Sequence, residues 1–432
     1  MNLAGLFSGS GGAFEPPRSL YIHIPFCSSR CAYCDFHSFP CARTSPAERS
    51  AYARTLPDRA KTLCEALGAS IETIYVGGGT PTILDDADFG GLLSGLAGLF
   101  GAGVREWTVE ANPESLSPAK MDMMVSRGVT RLSVGIQSMD DGELEILGRE
   151  ARSRDNRRAL DLAAGSGLAL SADLIAGIPR PGAAGGTRAS GRYGTAAGPS
   201  ALAESVEFLA GSGVGHISIY DLVVEEGTVI QKRLEGGTLS PADEELSFGE
   251  RVEAEAFLRA RGYRRYEVSN YALPGRECLH NKAYWSMNSY LGIGSGAVST
   301  LNLARGSDSL PLAAAGAMAL RIEEGKDLPR YLLDADEAAA LSWINRKDSA
   351  FEMVMMSLRC ADGLDEGRFL ERFGLDAKEV LAATVGKWKG RFAEGGGRLR
   401  LDGAGLDILN RVLVDAMTEM EPYFEDKRET GS

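Results

Sequence analysis

Between Leu20 and Ala272, short apolar β-branched runs alternate with longer stretches whose apolar residues recur every three or four positions. The runs predict strands beginning at Leu20 (LYIHI), Ile71 (IETIYV), Arg105 (REWTVE), Thr130 (TRLSVGI), Ala169 (ALSADLIAG) and Gly215 (GHISIYDL). Helices are predicted between them over Pro46–Leu67, Asp85–Leu99, Ser117–Arg127 and Asp155–Gly165, with Ser117 as an N-cap and Gly128 as a stop signal. Six β-α repeats imply an α/β fold with a parallel sheet and right-handed crossovers. Polar and glycine-rich motifs follow the strand ends: Cys27 after the first, Gly77 after the second, Glu110 ending the third, Gln137 after the fourth. A barrel gathers all such ends on one face, whereas an open sheet gathers those near its switch point. The pattern therefore favours a barrel-like wheel.

The flanks differ. Residues 1–18 are rich in Gly and Ser, end at Pro16-Pro17 and Arg18, and read as a flexible tail. The stretch 181–200 (PGAAGGTRASGRYGTAAGPS) is of low complexity and reads as a mobile insert within a barrel domain spanning 19–304. After Arg305 the pattern turns helical, over Asp334–Ile344, Ala350–Leu358, Asp365–Phe373, Ala377–Phe392 and Leu406–Met420. A Gly-rich turn before a short strand at Arg398–Leu401 completes a winged-helix-like domain, residues 305–432.

Lys and Arg number 46 against 59 Asp and Glu, a formal charge of −13, which argues against a protein whose main business is gripping nucleic-acid phosphates and leaves room for a local basic patch. No apolar run reaches the roughly 18–20 residues that span a bilayer. The N-terminus has no basic start and no long apolar run, so no secretory signal is read and a cytoplasmic chain is expected. The seven cysteines are odd in number, and three crowd into Cys27-Ser-Ser-Arg-Cys31-Ala-Tyr-Cys34, which in such a chain suggests a metal site rather than disulfides.

Three thiolates within eight residues suit an iron–sulfur cluster, because soft sulfur ligands suit that chemistry. A four-iron cluster held by three cysteines leaves one iron open to a ligand. Two alternatives stand beside this reading: a structural zinc site with His37 as fourth ligand, and a closed electron-transfer cluster completed by Cys41.

The segment Tyr21-Ile-His-Ile-Pro-Phe-Cys27-x3-Cys31-x2-Cys34-Asp35-Phe36 resembles the radical-SAM superfamily and, more narrowly, the HemN/HemW group of oxygen-independent coproporphyrinogen III dehydrogenases and heme-chaperone relatives. The resemblance extends from Tyr21 to the C-terminus. It implies a partial (β/α)6 TIM-like barrel with a mainly helical C-terminal domain. It also implies a [4Fe–4S] cluster on Cys27, Cys31 and Cys34, S-adenosylmethionine (SAM) at its open iron, and an electron donor. SAM would be cleaved to methionine and a 5′-deoxyadenosyl radical, chemistry that the cofactor carries and the protein positions. Matching the family's motifs, Tyr21, the loop Gly77-Gly78-Gly79-Thr80, Glu110, Gln137, Arg149 and Asp173 are the expected SAM contacts. His23 shares a strand face with Tyr21 and reads as either a packed or a functional histidine.

Two features separate the branches. The dehydrogenases carry a further cysteine two residues after the third cluster cysteine, where this chain has Phe36. The run Cys278-Leu-His280-Asn281-Lys-Ala-Tyr284-Trp285 matches the H-N-x-x-Y-W motif of the chaperone branch, and makes His280 the candidate heme ligand. Departures from the family are Val298 after Gly292–Ala297, where relatives often carry a histidine, and the 181–200 insert. The favoured function is binding heme and delivering it to respiratory heme proteins. The alternative is oxidative decarboxylation of coproporphyrinogen III in porphyrin biosynthesis.

Overall fold

The computed structural model describes residues 2–9, 12–182, 199–304 and 316–424. The parallel strands are β1 (Ser19–Ile24), β2 (Thr73–Gly78), β3 (Glu106–Ala111), β4 (Arg131–Gln137), β5 (Ala169–Ala176) and β6 (His216–Asp221). They continue into β7 (Arg264–Arg265), β8 (Asn270–Ala272), β9 (Tyr290–Ile293), β10 (Val298–Asn302), β11 (Ala317–Glu323) and β12 (Ala340–Asn345). All belong to a single sheet of order β7-β8-β6-β5-β4-β3-β2-β1-β9-β10-β11-β12. Strands β1 to β6 lie side by side in chain order, all parallel. Such a singly wound order has no switch point, and same-handed crossovers roll it into a wheel with helices outside. Strand β6 pairs onward with antiparallel β8, and β1 with β9, so the wheel stays open as a partial barrel.

The crossover helices include α2 (Pro46–Leu67), α3 (Asp86–Phe100), α4 (Pro118–Ser126), α5 (Ser153–Ala163) and α6 (Ala201–Gly211). Helix α2 begins with a capping box in which Ser45 and Glu48 satisfy each other's backbone N–H groups, and α4 is capped by Ser117 as expected.

The start of the chain departs from the expectation of a tail. Helix α1 (Leu3–Gly9) buries Leu3 and Phe7 in the main core, and Phe14 pairs with Leu303 across the sheet edge. Leu3, Leu6 and Phe7 fall at helical spacing, and that periodicity outweighs the Gly and Ser around it. Residues 183–198 of the expected insert lie outside the described residues.

The boundary at 304 also moves. Antiparallel β10, β11 and β12 extend the barrel sheet, and the main core takes in Leu320, Ile322 and Tyr331. A second core starts at Ala350. Where Asp334–Ile344 read as a helix, four residues (Ala335–Ala338) are helical and β12 follows. Ser342 alternates there with Leu341 and Trp343, a period of two that suits an edge strand half packed on the core. The C-terminal module comprises α8 (Arg346–Leu358), α9 (Glu366–Phe373), α10 (Leu409–Met420) and a three-stranded wing of Leu364–Asp365, Phe392–Gly395 and Arg398–Leu401. The helix expected over Ala377–Phe392 divides into Ala377–Val380 and Ala382–Lys387, and Phe392 opens a wing strand. Among the described residues no helix is long and apolar enough to cross a membrane.

Candidate cofactor pocket

The cysteine loop leaves β1 through Phe26-Cys27, which pairs with Phe39-Pro40 and closes residues 27–38 at their base. Phe26 is fully buried and anchors the near end. The loop is held from the far side by Ala32 N donating to Leu147 O at 2.9 Å. That approach requires glycine at 148: its φ is +68°, and a Cβ there would meet Ala32 N at 2.9 Å. Cys27, Cys31 and Cys34 then line one cavity of about 360 Å³ at the C-terminal ends of the strands. Gly78, Gly79, Glu110, Gln137, Arg149 and Asp173 line it too.

Among the described residues no three Cys, His, Asp or Glu side chains converge on a single-ion position. His37 donates or accepts through Nε2 to Ser295 Oγ at 3.0 Å and lies outside the cavity lining, as does Cys41 on its own 3-10 turn. Neither completes a fourth corner. Burial pushes the Cys27 thiol up to about 11, and it also raises Cys34. Both would hold as thiolates when a cationic iron centre supplies the compensating charge.

The facing wall is acidic. Glu110 Oε1 accepts from Tyr75 Oη at 2.6 Å, and Oε2 accepts from Gly78 N at 3.0 Å. Burial raises its pKa to about 7 despite these hydrogen bonds. Asp173 is raised to about 6, again by burial first, with Ser218, Ser133 and Arg149 opposing. Arg149 is itself buried; it donates to Asn112 Oδ1 at 2.8 Å, Gly135 O at 2.9 Å and Cys31 Sγ at 3.5 Å. Gln137 sits at φ +65°, a left-handed conformation rare for a side-chain-bearing residue, where the β4–β5 register slips. The kink turns the strand end toward the cavity. Two half-buried carboxylates and one buried guanidinium complement a ligand with two cationic centres and one carboxylate. A SAM-like sulfonium amino acid has that charge pattern, and the glycine cradle leaves it room. A Cβ at Gly77 would meet Glu110 Oε2 at 2.7 Å, and one at Gly79 would meet Cys27 Sγ at 2.9 Å.

Four expected residues stand off the cavity lining. Gly77 lies behind Glu110, and Thr80 behind Cys27 and Asn112. Tyr21 hydrogen-bonds His23 Nδ1 through its hydroxyl at 2.9 Å, and His23 Nε2 meets His37 O at 3.0 Å, a packed arrangement. His280 corrects the expectation most sharply. It is fully buried on α7 (Leu279–Trp285), with Nδ1 at 2.9 Å from Thr73 Oγ1 and Nε2 at 3.0 Å from Tyr284 Oη. Its backbone N–H donates to Glu106 Oε1 at 3.0 Å. Thr73 and Glu106 are the first residues of β2 and β3, so α7 plugs the N-terminal end of the barrel, away from the cysteines. Neither ring nitrogen is presented to a heme. The other three histidines are internal or hydrogen-bonded as well, His216 to Tyr266 Oη at 2.8 Å.

Sequence reasoning missed Asn112, Ser133, Tyr220 and Asp221, all in the cavity lining. Asn112, Tyr220 and Asp221 follow or end strands, so the rule that singled out Glu110 and Gln137 applies to them too. Among the described residues none after Glu225 lines the cavity, so the described part of the C-terminal module does not wall it.

Residues 21–181 match the family described as the Radical SAM superfamily, and residues 344–408 match the HemN C-terminal domain. The chain is 35% identical to the heme chaperone HemW of Escherichia coli K12 over 284 residues, covering 65% of this chain and 70% of that protein. It is 32% identical to the HemW of Mycobacterium tuberculosis H37Rv, covering 67% and 71%. The mitochondrial radical S-adenosyl methionine domain-containing protein 1 of Bos taurus is 34% identical; the match spans 65% of this chain and 60% of that relative's length. In fold, the chain superposes on coproporphyrinogen III oxidase (HemN) from Escherichia coli with a TM-score of 0.74 at 20% identity, covering 97% and 94%.

Proposed function

This chain belongs to the HemN/HemW group of the radical SAM superfamily, and from that premise we propose that it binds heme and passes it to respiratory heme proteins. In this reading Cys27, Cys31 and Cys34 hold a [4Fe–4S] cluster, and Glu110, Gln137, Arg149 and Asp173 hold SAM beside it. The chemistry such a bound pair supplies is one-electron cleavage of a sulfonium S–C bond. The chain's own residues do the rest. Arg149 brings a buried positive charge to the amino-acid carboxylate, and Glu110 and Asp173 take the cationic groups.

The observation that carries the heme reading is the rim of this pocket. Phe36 is 66% exposed and Val223 is 63% exposed, both at the cavity mouth with Tyr220 beside them. Phe36 replaces the extra cysteine of the dehydrogenase branch with an apolar ring. Large apolar side chains left in water at a cavity mouth suit a flat hydrophobic ligand. The test is an anaerobic heme titration of the cluster-loaded protein, wild type beside His280→Ala. Saturable binding near one heme per chain is expected, with His280→Ala unchanged because that ring is sealed in the barrel base. Absence of saturable binding by the wild type would reject the proposal. Loss of binding in a folded His280→Ala protein would mean that α7 opens to expose the imidazole.

Glu110, Gln137, Arg149 and Asp173 lining one cavity with the three cysteines also support a second reading, oxidative decarboxylation of coproporphyrinogen III. Anaerobic incubation with that substrate, SAM and a reductant would yield the decarboxylated product if it holds.

A further inference from the structure

Two of the three cluster cysteines are joined by one hydrogen-bonded chain whose direction is fixed at one end. Arg149 can only donate, so the atom of Asn112 that faces its Nη2 at 2.8 Å is the amide oxygen. The Asn112 amide nitrogen then faces Thr80 Oγ1 at 2.9 Å and donates to it. With its oxygen occupied as an acceptor, the Thr80 hydroxyl directs its proton to Cys27 Sγ, 3.7 Å away. The second terminal nitrogen of Arg149, Nη1, meanwhile reaches Cys31 Sγ at 3.5 Å. Thr80 and Arg149 are both nearly inaccessible to water. The hub is also pinned: the Asn112 carbonyl accepts from Ser115 Oγ at 2.8 Å and from Ser115 N at 3.0 Å.

We propose that Thr80, Asn112 and Arg149 form a one-way donor relay that sets the reduction potential of the cluster held by Cys27 and Cys31. This rests on the cluster reading above. Asn112 and Thr80 act as positioning residues, because neither needs to touch SAM for the effect. A donor aimed at a ligand sulfur stabilises the more negative, reduced cluster and raises its potential, and hydrogen bonds to sulfur are a main lever on such potentials. The effect is strongest where the donors are buried and held in place.

The measurement is an EPR-monitored redox titration of the reconstituted 432-residue chain without SAM, using a chemical reductant and mediators. Thr80→Val removes the hydroxyl at nearly constant shape and is expected to shift the midpoint to a more negative potential. Thr80→Ser restores the donor and is expected to return the midpoint toward wild type, which a packing effect of residue 80 would not do. Asn112→Asp can only accept, so it turns the Thr80 hydroxyl away from Cys27 and is expected to shift the midpoint the same way as valine. Thr80→Ala repeats the loss should the valine protein fail to assemble. A wild-type midpoint in Thr80→Val or Thr80→Ala, at full iron and sulfide content, would overturn the relay while leaving the cluster intact. A wild-type protein that takes up no iron and sulfide would overturn the cluster reading, and the relay with it.

Discussion

Glu110 is a carboxylate placed where charge is costly, and its pH behaviour follows. Its folded pKa is raised from 4.5 to about 7, mainly by burial, and that of Asp173 from 3.8 to about 6. A raised carboxylate favours the folded state while protonated. Its contribution is full below the ordinary pKa and is lost as pH climbs through the folded value. Without ligand, the protein is therefore expected to lose stability between about pH 4 and 7 on account of these two groups. A cationic ligand reverses the preference, because it pairs with the ionised forms. SAM affinity should rise with pH across the same upper range, by at most about tenfold per pH unit for each carboxylate, and level off above about pH 7. Calorimetric titrations across that range check it. Glu110→Gln should flatten the upper part of the profile, and a constant affinity in the wild type would contradict the assignment of Glu110 to the cationic part of SAM.

At the scale of elements, the base of the barrel is held by a buried polar knot. Arg131, first residue of β4, pairs with Glu106 at 3.0 Å and donates to Ser171 Oγ at 3.0 Å and to the carbonyls of Arg276 and Glu277 at 3.0 Å. Glu106 also accepts from Cys278 Sγ and His280 N. Removing one member strands the other charge in the interior, so Arg131→Ala should cost about 3–5 kcal/mol, read as a lowered urea midpoint. An unchanged midpoint would mean that water enters and relieves Glu106. The strands themselves were legible in the sequence: their expected starts at Leu20, Arg105, Thr130 and Gly215 fall within one residue of the observed Ser19, Glu106, Arg131 and His216. β-Branched runs bounded by glycine and helix caps are local signals, and they survive in three dimensions. The plug was not legible. Beyond Tyr284 on its own helix, the partners of His280 are Thr73 and Glu106, separated from it by 207 and 174 residues. A motif rich in His, Asn, Tyr and Trp reads the same whether it ligates a metal or seals a barrel. The Asp334–Ile344 misreading has a similar origin, since its strand character comes from an edge supplied by β11.

In the whole molecule, the described residues pack into three hydrophobic clusters, and a small one around Leu147 and Ile175 underlies the cysteine loop. Strand ends and loops between Cys27 and Glu225 contribute the cavity lining, and the C-terminal module meets the barrel elsewhere, through Arg265–Asp407 at 2.8 Å, Arg321–Glu352 at 3.0 Å and a backbone bridge of Glu267 with Cys360. Hydrogen-exchange protection on adding SAM to the cluster-loaded protein is thus expected around residues 27–38, 78–80, 110–112 and 133–137, and not in 346–424. Strong protection of the module would show a coupling that these contacts do not predict. The sheet order also bears on how the chain is made. Strand β1 lies in the middle of the twelve, flanked by β2 on one side and by β9, which begins at Tyr290, on the other. A ribosome delivers every residue of the cofactor cavity, the last being Glu225, at least 65 residues before that second flank exists. In a nascent chain the strand that carries the cysteine loop is therefore paired on one side only until β9 emerges, although the residues that line the cavity are already present.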